Sequence, residues 1–147
     1  MTELSSTSKA KRPEFRNINA FHDLPTYRWP LASIVSGMHR VSGLMMFLLM
    51  PFIVWMFDTS ISSEISFARF TSIFQNGFGF VPAILVKLVV LGLIWAYLHH
   101  FFAGMRHIRM DVKHTVSKEA GLRTAQITVV LSFGLTAVLG AKLFGLY

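Results

Sequence analysis

Three long apolar runs divide this chain, and a bilayer is the solvent such runs require. A hydrocarbon core about 30 Å thick needs about 20 mostly apolar residues per helical crossing. The runs fall roughly at 31–57, 80–105 and 124–146. The first has an uncharged stretch from Val41 to Phe57, the second is interrupted by Lys87, and the third carries Lys142 near its end. Both lysines fall near the same membrane surface in a three-span arrangement, where they can snorkel outward. Pro51 is expected to kink the first helix without breaking it, since proline is tolerated in spans. Composition agrees, with 53% of the 147 residues hydrophobic and 14% charged, against about 25% charged in a soluble domain. The expected fold class is all-α integral membrane: three transmembrane helices forming part of a heteromeric helix bundle, because three helices alone make a thin one.

The charges set an orientation. Residues 1–40 hold six Lys/Arg against three Asp/Glu, and residues 106–123 hold five against two. The other connection, 58–79, holds only Arg69 against Asp58 and Glu64. By the positive-inside rule the N-terminus and second connection are cytoplasmic, and the C-terminus is periplasmic. The net charge of +7 is therefore topological, and nucleic acid is not an expected partner. No cysteine is present, so thiolate metal sites, iron–sulfur clusters and disulfides cannot be built from this chain alone.

The polar start, with Pro13, Pro25 and Pro30, lacks the short apolar core and cleavage site of a secretory signal. Glu3 and Glu14 speak against a transit peptide. Two units are expected: an N-terminal cytoplasmic tail, 1–28, and a three-helix membrane-anchor domain, 29–147. The tail lies on the membrane surface or a partner, or its first dozen residues are disordered. In the outer connection Ile65, Phe67, Ala68, Phe70 and Phe74 make a short interfacial helix or a loop resting on lipid.

Ionisable groups inside a span are costly and default to a functional hypothesis. The second run carries His99 and His100. Gly92, Ala96, His100 and Gly104 recur every four residues, and His107 continues the stripe. Small residues admit another helix or a flat ligand. A haem macrocycle needs such a groove, and imidazole is a standard axial ligand for its iron. Plain helix packing would use the same row. His99 points about 100° away, between Trp95 and Ala103, so His100 is the better ligand candidate. His39, His107 and His114 fall at or beyond the cytoplasmic boundary, set at Arg106, so none is expected to face His100. A second axial ligand should come from a partner chain.

At the start of the first run, Ser36 and Arg40 share a helix face at i, i+4, preceded by Ser33 and followed by Gly43. A hydroxyl and a guanidinium at the membrane boundary can hydrogen-bond a quinone headgroup arriving from lipid. Arg40 can equally neutralise a haem propionate, or His39 and Arg40 can anchor phospholipid headgroups. His100 lies six residues before Arg106, about 9 Å of depth, so both polar constellations converge on one side of the bilayer.

Two motifs carry a resemblance. Ser36-Gly37-Met38-His39-Arg40-Val41-Ser42-Gly43 resembles the first-helix signature, S-x-x-H-R-x-S-G, of the cytochrome b membrane-anchor subunits of succinate dehydrogenase, respiratory complex II. His100 through Asp111 resembles the second-helix signature, H-x-x-x-G-x-R-H-x-x-x-D. The order, the spacing and the three-span length agree, over roughly 12–147. The resemblance implies His100 as axial ligand of a haem b shared with a second small membrane subunit. It implies Ser36 and Arg40 at a ubiquinone site, with His39, Arg40 and His107 near the haem and its propionates. It also implies an iron–sulfur subunit, a flavoprotein that oxidises succinate, and a bacterial cytoplasmic membrane. Alternatives are the anchor of a menaquinol:fumarate reductase and a cofactor-free structural anchor. A transporter or channel would want polar groups through the full membrane depth, which these spans lack.

Overall fold

The computed structural model describes residues 17–114 and 117–147. The expectation for the first dozen residues lies outside the described residues. Six helices follow in order: α1 Ala20–Thr26, α2 Leu31–Leu48, α3 Met50–Ile61, α4 Glu64–Asn76, α5 Ala83–Lys113 and α6 Lys118–Leu143. Among the described residues α2, α5 and α6 are long and apolar enough to cross a membrane, so the three-span, all-helical expectation holds.

Two boundaries differ from the sequence reading. The first apolar run is not one kinked helix but two, α2 and α3, meeting at Leu49 with φ −90° and ψ 6°. Pro51 stands in the first turn of α3, where its missing N–H leaves no intrahelical bond unmade. The second run does not stop at Met105. Helix α5 continues through Arg106 to Lys113, 31 residues in all, about 46 Å at 1.5 Å per residue. It ends where His114 turns left-handed at φ 48°. Charged side chains change what surrounds a helix without breaking its backbone bonds.

The connection 58–79 contains α4 as a formed helix. Ser63 and Ser66 close a reciprocal capping box at its start, satisfying two backbone donors otherwise orphaned there. Helix α4 packs on α3 and α5. Gly77 and Gly79 then turn the chain at φ 88° and 59°, which only glycine adopts without strain. Within the expected tail, α1 is capped by Asn19, whose side chain accepts from the Phe21 N–H. Asp23 accepts from Asn19 N–H at 2.8 Å and pairs with His22 at 3.0 Å. The His22 bond, then that N–H, hold its carboxyl below the usual carboxylate range.

Helices α2, α5 and α6 pack against one another, with α5 antiparallel to both others. Val35, Ala103 and Ala125 form a fully buried contact. The interior face of α6 is otherwise small and polar, with Thr128, Ser132, Thr136 and Gly140 buried beside Ala125. Their hydroxyls donate to carbonyls one turn back, as in Thr128 to Thr124 at 3.0 Å and Thr136 to Ser132 at 2.6 Å. The large apolar side chains, among them Phe47, Leu44, Phe101, Val130 and Ile127, face outward. Small residues inside and large apolar ones outside suit a bundle whose solvent is lipid.

Candidate functional site

The antiparallel packing of α2 on α5 brings three histidines into a row. The His39 ring stacks on His100 with centroids 4.1 Å apart and planes at 20°. His39 also meets His107, with ring centroids 5.3 Å apart and planes at 45°. His100 and His107 share one face of α5 at i, i+7. The expectation that His39 does not face His100 is therefore corrected, whereas His107 meets His39 and makes no ring contact with His100 among the described residues. That expectation set the boundary at Arg106, whereas α5 runs on as helix and α2 lies alongside it.

His100 is held by its own chain. Its Nδ1 lies 3.0 Å from the His39 carbonyl oxygen and 3.3 Å from Ser42 Oγ. Ser42, fully buried, donates to the same carbonyl at 2.8 Å. A carbonyl only accepts, so in the neutral ring Nδ1 carries the proton and Nε2 keeps its lone pair. Nε2 makes no hydrogen bond among the described residues. Gly43 allows this placement: a Cβ there would stand 2.8 Å from His100 Cε1 and 3.2 Å from Nδ1, inside the roughly 3.5–4.0 Å at which carbon atoms pack.

The small-residue row on α5 faces α2. A Cβ on Gly92 would touch Met45 at 3.7 Å, and one on Gly104 would touch His39 Nε2 at 3.7 Å. Ala96 is fully buried. Of the two uses that the row admits, close helix approach is the one made within this chain.

His99 has a different place. It is fully buried, with Nδ1 3.3 Å from Ser132 Oγ of α6 and Nε2 3.4 Å from the Val35 carbonyl of α2. Trp95 stacks on it at 5.4 Å. Both ring nitrogens are occupied, so His99 ties three helices together. Further along its face, Arg106 is buried and donates from Nε to Thr124 Oγ1 at 3.0 Å.

Ser36 is partly buried and Arg40 exposed, and among the described residues neither side chain makes a hydrogen bond or ion pair. They share a face of α2 but are not brought into the histidine row by any such contact. Two apolar grooves of about 490 and 540 Å³ involve none of Ser36, His39, Arg40, His100 or His107. A chain made to pack in lipid leaves such grooves wherever its apolar exterior is uneven, so they do not mark the chemistry.

Ser42, Ser132 and Thr124 hold the histidines and Arg106, and sequence reasoning assigned them no role. A signal was present for two of them. Thr124, Thr128, Ser132, Thr136 and Gly140 recur every four residues, the same small-residue periodicity that marks α5. Ser42 gave none beyond its place in the first motif.

The family model described as "Succinate dehydrogenase/Fumarate reductase transmembrane subunit" matches residues 13–139. A Coxiella burnetii protein named succinate dehydrogenase cytochrome b556 subunit is 33% identical over 125 residues, covering 84% of this chain and 90% of its own length. Proteins of the same name from Paracoccus denitrificans and Rickettsia felis are 28% and 23% identical over 106 and 132 residues. They cover 72% and 90% of this chain, and 76% and 98% of their own lengths. With three apolar helices, both histidine motifs and a family match over most of its length, this chain belongs to the succinate dehydrogenase/fumarate reductase transmembrane subunit family.

Proposed function

We propose that this chain anchors a succinate:quinone oxidoreductase in the bacterial cytoplasmic membrane, holds one side of a shared haem b and forms part of the ubiquinone site. The observation that carries the haem reading is the state of His100. A metal-ligating histidine almost always spends its other ring nitrogen on a carbonyl or carboxylate, which fixes tautomer and orientation. His100 Nδ1 is so engaged by the His39 carbonyl, and Nε2 is the nitrogen left for iron. His99 has no free nitrogen to offer. The residues present thus fit haem b, which supplies a one-electron redox centre when bound. A haem held there would take its remaining protein ligand from a second small membrane subunit. His39, Arg40 and His107 would form its polar surroundings on this chain's side, with Arg40 able to pair a propionate.

Ser36 and Arg40 serve the quinone. Both are hydrogen-bond donors one turn apart on α2, and neither is spent on a described neighbour. Donors placed beside a quinone carbonyl stabilise the negative charge that develops on its oxygen during reduction. Electrons arrive from an iron–sulfur subunit docked on the cytoplasmic side and fed by a flavoprotein. The orientation follows from the positive charge of the N-terminus and the α5–α6 connection. The three relatives, all named for succinate dehydrogenase, favour this direction over fumarate reduction.

The test is the reduced-minus-oxidised absorbance spectrum of the purified complex with all its subunits. Wild-type and His99→Ala complexes show a b-type haem, and His100→Ala loses it. An unchanged haem spectrum in His100→Ala would falsify the ligand assignment.

A further inference from the structure

We propose that the phosphate of an anionic phospholipid binds between α5 and α6, at Arg106. Arg106 is 7% exposed, yet it is not paired. Its Nε donates to Thr124 Oγ1, whose own proton goes to the Ala120 carbonyl at 2.8 Å. A guanidinium has five N–H donors, and the other four find no hydrogen-bond partner among the described residues. No described carboxylate lies within 4 Å of it. The side chain is largely buried while its unbonded nitrogens stay accessible, which leaves them free to take an anion that reaches them from outside.

A cavity of about 240 Å³ adjoins it, lined by both helices. Because α5 and α6 run antiparallel, the lining is graded. Arg106, Arg109 and Thr124 stand at one end, and Phe102, Ile127 and Leu131 lie toward the other. An adjoining cavity shares Arg109, Thr124 and Ile127 and adds Arg123, with Glu119 the one acid among its lining residues. A cationic end leading into an apolar slot is the complement of a phospholipid, whose phosphate takes the guanidinium bidentately while its chain follows the slot. The surplus of arginine over glutamate selects an anionic headgroup over one carrying an ammonium. Arg106 lies on the row of α5 that holds His99, not on the row of His100, so the site stands independently of the haem and quinone assignments.

The test is native mass spectrometry of the complete detergent-solubilised complex, offered phosphatidylglycerol or phosphatidylcholine of matched chains. Wild type retains phosphatidylglycerol over phosphatidylcholine by on the order of tenfold, and millimolar inorganic phosphate does not displace it. Arg106→Gln and Arg109→Gln each lower that retention. Leu131→Trp, which fills the apolar end and leaves every charge in place, lowers it too, so the test survives if Arg106→Gln fails to assemble. Displacement by inorganic phosphate would make this a free-anion site and overturn the lipid assignment. Equal retention by wild type and by the variants that assemble, or no lipid on wild type, would overturn the site.

Discussion

Gly43→Ala is the smallest change that tests the placement of His100. The added methyl would lie 2.8 Å from His100 Cε1, too close by roughly 0.7–1.2 Å. The ring has little room to yield, with Nδ1 held at 3.0 Å by the His39 carbonyl and the His39 ring stacked at 4.1 Å. A retreat of about 1 Å would stretch that hydrogen bond past the roughly 3.5 Å beyond which it no longer counts as one. Overpacking costs about 1–3 kcal/mol, and the lost bond adds about 1 kcal/mol. Alanine's better helix propensity offsets up to about 1 kcal/mol. The net cost is about 1–3 kcal/mol, paid at the histidine proposed to hold haem. The complex should therefore lose thermal stability, and its haem should show reduced occupancy or a shifted midpoint potential. Two substitutions serve as internal references. A Cβ on Gly37 meets nothing within 4 Å, and one on Gly104 makes an ordinary 3.7 Å contact. If Gly43→Ala matches Gly37→Ala in melting temperature, haem content and potential, His100 does not lie against Gly43 and the derivation fails.

His99→Ala should destabilise the complex by about 2–4 kcal/mol, since it empties a fully buried site and removes the bonds to the Val35 carbonyl and the Ser132 hydroxyl. A lowered melting temperature with the haem spectrum retained is the expected pair of results; loss of haem at full thermal stability would reverse the roles given to the two histidines. Arg40→Ala should slow succinate–quinone activity roughly 10–100-fold, the value of one charge-assisted hydrogen bond. Succinate oxidation with a soluble acceptor should persist, and equal loss of both activities would point to misassembly rather than quinone binding.

The spans were legible because length and apolarity are what a bilayer demands, and both are properties of the sequence alone. Their ends were less so. The charges at Arg106, Arg109 and Lys113 read as a loop, but α5 stays helical through all of them, because a backbone ladder needs only N–H and C=O groups. Pro51 read as a kink, but the helix restarts around it at Leu49. The candidate residues His39, Arg40, Ser36, His100 and His107 came from two local motifs. That the His39 and His100 rings stack did not, because periodicity says which residues share a face and not what that face meets. The same limit hid the partners of His99: Val35 and Ser132 lie 64 and 33 residues away in sequence.

The adjacency of His99 and His100 shows how packing sorts two chemically identical side chains. One step along α5 turns the second imidazole by about 100°. That step separates a ring enclosed by α2 and α6 from one lying against Gly43 on α2. For His99 to ligate iron it must give up a bond to the Val35 carbonyl or the Ser132 hydroxyl, at about 0.5–1.5 kcal/mol. His100 gives up nothing, since the bond to the His39 carbonyl uses the nitrogen that a ligand does not need. The difference favours His100 by roughly 2- to 10-fold before any preference of the haem itself is counted. The glycines at 43, 92 and 104 are what let α2 come close enough to present that carbonyl. Helix packing and ligand placement are therefore not rival explanations of the small-residue row, because the close approach of α2 is what fixes the tautomer of His100.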